Sequence, residues 1–191
     1  MLLMQQRILQ DGVVREGNIL KVDSFLNHQM DPVLYREMGK EFYRLFGGCG
    51  VTKLLTVEAS GIGIACVAAQ YFGCPAIFAK KSRTKNLDEE VYAAQVESYT
   101  HGGSYTVFVS RRFLTPADRV LLLDDFLARG SAMLGLMDLV AQSGAALVGC
   151  GIAIEKGFQE GGRLLRERGV RVESLAVIQE MDQGHITFRE A

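Results

Sequence analysis

The feature that most constrains this chain is the segment 120–132, VLLLDDFLARGSA. An unbroken apolar run ends in two adjacent carboxylates, and a small-residue turn then leads into a stretch with apolar Met133, Leu136, Met137 and Val140 at helical spacing. An apolar run of that length with no alternation is the signature of a strand covered on both faces, which is how parallel sheets are built. The same alternation recurs around it. Segment 52–57 (TKLLTV) reads as a buried strand, 62–72 as a helix, 76–80 as a strand, 119–123 as a strand, 131–142 as a helix and 146–154 as a strand. The expected architecture is α/β, a parallel twisted sheet flanked by helices on both faces with right-handed crossovers.

With 191 residues, 48% of them hydrophobic, the chain suits a single domain spanning 1–191 with one sizeable core. Its 21 Lys+Arg balance 22 Asp+Glu for a net charge of −1, which argues against a surface built to grip nucleic acid. Cys49, Cys66, Cys74 and Cys150 show no C-x-x-C spacing and are expected to be buried free thiols in a reducing cytoplasm, not disulfides or zinc ligands. The opening MLLMQQRIL lacks a basic n-region and does not read as a secretory signal. Residues 59–79 carry no charge, yet Gln70, Gly73 and Pro75 interrupt them, so a buried helix followed by a strand fits better than a membrane span.

Outside this core the pattern changes. Between 86 and 114, the β-prone runs VYAAQVESY and SYTVFVSRRFL flank His101-Gly102-Gly103, a hairpin signal. Asp31 and Pro32 form an N-cap and first-turn pair for a helix reaching about Phe46. A short strand is expected at 19–23, a short helix at 162–168, and strands at 170–178 and 185–188 with a turn at 182–184.

The chemistry concentrates where the strand 119–123 ends. Ligands of open α/β sheets bind beyond the carboxyl ends of strands, where helix N-termini offer unpaired N–H groups. Ala128, Arg129, Gly130, Ser131 and Ala132 would supply such donors to a phosphate, with Gly130 permitting close approach and Ser131 adding a hydroxyl. Asp124 and Asp125 would repel phosphate but suit a sugar diol, whose hydroxyls can both donate to them. The pieces describe a ribose-5-phosphate pocket. Neither a Walker A loop nor G-x-G-x-x-G is present.

This segment resembles the phosphoribosyl-pyrophosphate motif of the type I phosphoribosyltransferase family, and the likeness to its bacterial purine-salvage branch, the xanthine-using enzymes, runs nearly end to end. It is carried by LKVDSFLNHQMDP (20–32), VEASGIGIA (57–65), FAKK (78–81), DDFLARGSA (124–132) and GIAIEKGFQ (151–159). The resemblance implies transfer of ribose 5-phosphate from phosphoribosyl pyrophosphate to xanthine, with Mg2+ bound mainly through the phosphoribosyl pyrophosphate and a homodimer as the assembly. It assigns Asp124 and Asp125 to catalysis. Ser60 and Gly61 fall in the pyrophosphate loop, Lys80 or Lys81 is the pyrophosphate-contacting base, and Leu20, Asn27 and Lys156 bind the purine. A mobile loop is implied over about 82–105, beginning Ser82-Arg83-Thr84-Lys85, and a hood over about 1–30 and 157–191. A guanine- or hypoxanthine-using enzyme, or a regulator sensing phosphoribosyl pyrophosphate, is the alternative; no helix-turn-helix or basic module favours the latter.

Two departures stand out. Related hypoxanthine-guanine enzymes carry an acid just after the acidic pair, where this chain reads Phe126-Leu127-Ala128, so no general base is visible beside the purine and xanthine is expected to enter already ionised. Ala132 stands where many relatives have Thr. His28, His101 and His185 show no metal spacing, and Arg111, Arg112, Arg163, Arg166 and Arg168 read as solvated.

Overall fold

A computed structural model describes residues 1–82, 90–98, 103–182 and 185–189. Its centre is a six-stranded sheet in the order β10-β9-β8-β7-β3-β4. The strands are β3 (Lys53–Val57), β4 (Ala76–Ala79), β7 (Arg119–Leu127), β8 (Ala146–Lys156), β9 (Val172–Asp182) and β10 (His185–Phe188). All neighbours run parallel except β10, which turns back antiparallel on β9 and makes the sheet mixed at that edge.

Helices cover both faces as the apolar strands require. On one face lie α1 (Leu2–Asp11), α2 (Pro32–Phe46) and α3 (Ser60–Phe72), whose Met4, Ile8, Met38, Phe42, Phe46 and Ile64 share a core with Leu54, Leu121 and Leu123. On the other lie α4 (Ser131–Ser143) and the antiparallel hairpin β5 (Val91–Ser98) and β6 (Gly103–Ser110), where Met133, Leu136 and Leu139 pack with Val96, Val107, Leu122 and Ile152. Asp31 caps α2 as its sequence implies, accepting from the N–H groups of Val33 (2.9 Å) and Leu34 (3.2 Å), with Pro32 in the first turn. A short helix, α5 (Gly161–Glu167), joins β8 to β9. The N-terminal segment adds a separate two-stranded sheet of β1 (Val13–Arg15) and β2 (Ile19–Lys21), followed by one π turn over Asp23–Asn27. The C-terminal strands join the central sheet.

Several expectations are revised. Helix α1 had no sequence signal, because its short apolar run is broken by Gln5, Gln6 and Arg7; it is held by burial of Met4 and Ile8 and by an ion pair from Arg7 to Asp31 at the start of α2. Strand β7 does not stop at 123 but continues through both acids to Leu127, because β8 pairs with it as far as Leu127–Glu155. Of the four thiols only Cys150 is buried; Cys66 is exposed and Cys49 and Cys74 lie between, so apolar neighbours in sequence did not imply burial. Arg166 is not merely solvated: its guanidinium bonds both oxygens of the buried Glu155 at 2.7 and 2.8 Å. His28 and His185 are exposed, while His101, part of the 182–184 turn and residues 83–89 and 99–102 of the loop expected over 82–105 lie outside the described residues. Among the described residues, no helix is long and apolar enough to cross a membrane.

Candidate active site

After β3 the chain crosses to β4 on one side and later returns through β7 on the other, so the strand order reverses between β3 and β7. Crevices form at such reversals. Here β3 and β7 pair only from Lys53–Val120 to Leu55–Leu122, whereas β7 stays with β8 five residues further. The far half of β7 therefore has one open flank, and the two acids sit on it. Asp124 Oδ1 accepts from the Asp125 N–H and Asp125 Oδ1 from the Phe126 N–H, each at 3.0 Å. The carboxylates thus take up backbone donors where β3 has diverged.

Strand alternation sends the two acids to different surroundings. Asp124 is 5% exposed and lies in the electrostatic reach of Lys81, Tyr105 and Cys150. Burial, and then the Asp125 charge, hold its carboxyl well above the usual carboxylate range. Asp125 is more accessible and faces the N-terminal segment: Asn27 Nδ2 donates to its Oδ2 at 3.4 Å. Asn27 is placed by the π turn, which the Tyr35 hydroxyl anchors by donating to the Leu26 carbonyl. Burial and then Asp125 raise the Tyr35 phenol to about 12, so it stays a donor.

The anion cradle expected at 128–132 is built as a left-handed turn into α4. Gly130 has φ +87°, a conformation an L side chain rarely adopts, and a Cβ there would lie 3.2 Å from Gly161 Cα. The Gly161 N–H donates to the Ala128 carbonyl at 2.9 Å, so the start of α5 braces the turn. No side chain caps α4, which leaves its first N–H groups open to an anion.

One crevice of about 500 Å3 joins these parts: Ala128, Arg129, Gly130, Ser131 and Ala132 line it together with Lys156, Phe126 and Ile19. Lys156 Nζ donates to the Asn18 carbonyl at 3.0 Å and lies 5.9 Å from the Phe126 ring, and burial lowers its ammonium below the ordinary value. Leu20 is 6% exposed and packs into the core beside α1; its neighbour Ile19 is the one that lines the crevice.

Ser60 and Gly61 open α3 at the end of β3, next to Asp124, after a cis peptide bond between Glu58 and Ala59. Of the two lysines, Lys80 is engaged through its backbone in a bridge to Phe108. Lys81 sets its ammonium 5.2 Å from the Tyr105 ring, and its backbone N–H donates to Glu58. Lys81 is also the lysine whose charge acts on Asp124. Sequence reasoning missed Thr56, which looked like core, as a neighbour of the site. Glu97 and Tyr105, which line the crevice, fall within the 82–105 active-site loop that the resemblance implied. Among the described residues, no three His, Cys, Asp or Glu side chains group to hold a metal by themselves.

A strand-borne carboxylate pair, an uncapped helix start behind a positive-φ glycine and a basic, half-apolar crevice alongside are the parts of a sugar-phosphate transferase. Residues 35–163 match the phosphoribosyl transferase domain, and the chain belongs to that family. Xanthine phosphoribosyltransferase from Ruminiclostridium cellulolyticum is 58% identical over 188 residues, covering 98% of this chain and 99% of that one. The enzyme of the same name from Lachnoclostridium phytofermentans is 56% identical over 191 residues, covering 99% and 98%. In fold, the chain is similar to the adenine phosphoribosyltransferase of Giardia lamblia solved with 9-deazaadenine, at a TM-score of 0.76 and 18% identity over 93% of this chain and 98% of that one.

Proposed function

We propose that this chain transfers the ribose-5-phosphate group of phosphoribosyl pyrophosphate to xanthine, giving xanthosine monophosphate and pyrophosphate in purine salvage. The bond from the anomeric carbon to the pyrophosphate oxygen breaks and a bond to a purine nitrogen forms, the base having left its proton to solvent before it enters as the anion. The observation that carries the reading is the single crevice lined by both the 128–132 turn and Lys156, with the acid pair on the same strand.

The amides at the start of α4 and the Ser131 hydroxyl take the 5′-phosphate. Asp124 and Asp125, reaching the open flank of β7 from its two sides, accept from the ribose hydroxyls and stabilise the positive charge that develops on the sugar. Backbone amides at Ser60 and Gly61 and the Lys81 ammonium receive the pyrophosphate. Lys156 donates to an exocyclic oxygen of the base, and Asn27, whose amide nitrogen is turned to Asp125, presents its oxygen as an acceptor for a purine N–H. Leu20 contributes by backing the β2 segment from which Ile19 reaches the crevice. Phe126, following the acids, supplies no proton acceptor, in keeping with a base that arrives ionised. Mg2+, when bound, would be held mainly through phosphoribosyl pyrophosphate and would supply charge neutralisation of the leaving group. The enzyme works in the cytoplasm as a homodimer.

Pyrophosphate release with xanthine, guanine, hypoxanthine and adenine in parallel, with Mg2+, tests the reading. Xanthine should be used in clear preference. Release with none of the four, despite binding of phosphoribosyl pyrophosphate, would overturn it in favour of a sensor.

A further inference from the structure

Thr56 sits on β3 one residue beyond its last pairing with β7, is 1% exposed, and its hydroxyl oxygen has no hydrogen-bond partner among the described residues. A buried hydroxyl left unpaired is costly, so its persistence calls for a role. Its position indicates one. A Cβ placed on Gly61 would lie 1.9 Å from Thr56 Oγ1 and 3.3 Å from Asp124 Oδ1, so the hydroxyl and the carboxylate flank the same point, and only a glycine fits between them. We infer that the Thr56 hydroxyl is a positioning group, which turns to donate to the Asp124 carboxylate when the sugar donor is bound. This rests on the reading that Asp124 holds the ribose.

Burial, and then the Asp125 charge, hold the Asp124 carboxyl well above the usual carboxylate range. A carboxylate accepts from both hydroxyls of a diol best as the ion, and a further donor stabilises that ion where water is excluded. The charged and titratable groups facing Asp124 are Asp125 on its own strand, Lys81 beyond β4, Tyr105 on β6 and Cys150 on β8. Lys81 is exposed at the end of a strand and is assigned to the leaving group; the Cys150 thiol is a weak donor, and Tyr105 turns its ring to the Lys81 ammonium at 5.2 Å. Thr56 is the neutral, preplaced donor.

Calorimetric binding of phosphoribosyl pyrophosphate, together with pH profiles of kcat/KM for xanthine at saturating phosphoribosyl pyrophosphate, which report the donor-bound enzyme, tests this on Thr56→Val, Thr56→Ser, Asp124→Asn and Thr56→Val with Asp124→Asn. Thr56→Val should weaken binding by about tenfold or more, the scale of a donor lost to a charged acceptor. It should also move the acid limb of the profile to higher pH, and Thr56→Ser should recover most of both. Added to Asp124→Asn, Thr56→Val should change little, since the carboxylate it serves is gone. Thr56→Val binding within about twofold of the parent, or losing as much on the Asp124→Asn background, overturns the inference while Asp124 keeps its role. Asp124→Asn binding as well as the parent overturns both. If Thr56→Val melts too early to assay, Thr56→Ala against Thr56→Ser isolates the hydroxyl, and equal losses in the two overturn the proposal.

Discussion

Asn27 and Asp125, 98 residues apart in sequence, meet at 3.4 Å, with the amide nitrogen on the carboxylate. The contact joins the N-terminal segment to the strand that carries the acids, and it orients the amide oxygen away from Asp125. Asn27→Ala should raise the KM for xanthine by about tenfold, the scale of one lost polar contact, with a smaller rise for phosphoribosyl pyrophosphate. Steady-state kinetics with each substrate varied separately measures the split. Equal rises would place Asn27 on the sugar side only through Asp125.

Asp124→Asn with Asp125→Asn should lower kcat by at least about a hundredfold, as expected when groups that stabilise developing charge are lost. The protein should remain folded. Because burial and Asp125 hold the Asp124 carboxyl above the ordinary range, its ionisation in the folded chain costs stability as pH rises past the unfolded value. Asp124→Asn alone should therefore melt higher than the parent at neutral pH, by roughly 2–4 °C per kcal/mol relieved. Calorimetric scans of the ligand-free protein check this, and a lower midpoint would contradict it.

Lys156→Ala should raise the KM for xanthine by about ten- to a hundredfold and leave that for phosphoribosyl pyrophosphate within a few-fold, since the proposed function gives its ammonium to the base and the phosphate to the backbone amides of the turn. Burial already lowers the Lys156 ammonium from its ordinary value, so affinity for the base should fall away on the alkaline side. Titrating xanthine binding against pH in the parent and the variant separates this loss from the ionisation of xanthine itself, which both proteins share.

Gly130→Ala tests the phosphate turn. At φ +87° an alanine costs about 1–2 kcal/mol, and its methyl would press on the Gly161 backbone at 3.2 Å. We expect a loss of about 1–3 kcal/mol in urea unfolding together with a raised KM for phosphoribosyl pyrophosphate. A normal KM would mean that the turn does not hold the phosphate.

Arg166→Met tests the buried pair behind the sheet. Burial pushes the Glu155 carboxyl up, but hydrogen bonds from Arg166 and Ser174 outweigh it and leave the group below its ordinary value. Stability from such a group is present above the usual carboxylate range and is lost as pH falls through the lowered value. The variant should lose about 3 kcal/mol at neutral pH, the low end for a broken buried pair because the Arg166 side chain is 37% exposed. Urea denaturation over a pH series should show the gap closing toward acid pH.

The alternation of strands and helices was legible because β3, β4, β8 and the first half of β7 are largely apolar runs and each helix is bounded by a glycine, a proline or an aspartate. Asp31, Pro32 and Gly130 announced their positions through local geometry that needs no tertiary context. What stayed hidden depends on distant neighbours. The extension of β7 is a property of β8, the pairing of Arg166 depends on a glutamate eleven residues before it, and α1 exists because its two buried residues find a surface on the far side of the chain. The 128–132 turn and Lys156 share a crevice that their separation in sequence does not suggest, and the family resemblance brought them together before the geometry did. Leu20 and Ile19 show the finer limit: a one-residue step on a short strand exchanges core for crevice.

The contact between Gly161 and the turn at Ala128–Gly130 makes a short lever of the stretch from Lys156 to Gly161. Under the proposed function its first residue meets the base and its last abuts the cradle for the sugar's phosphate, with only a short turn between them. On that reading a tilt at one end is carried to the other, and occupancy of either substrate pocket tunes the grip of its neighbour.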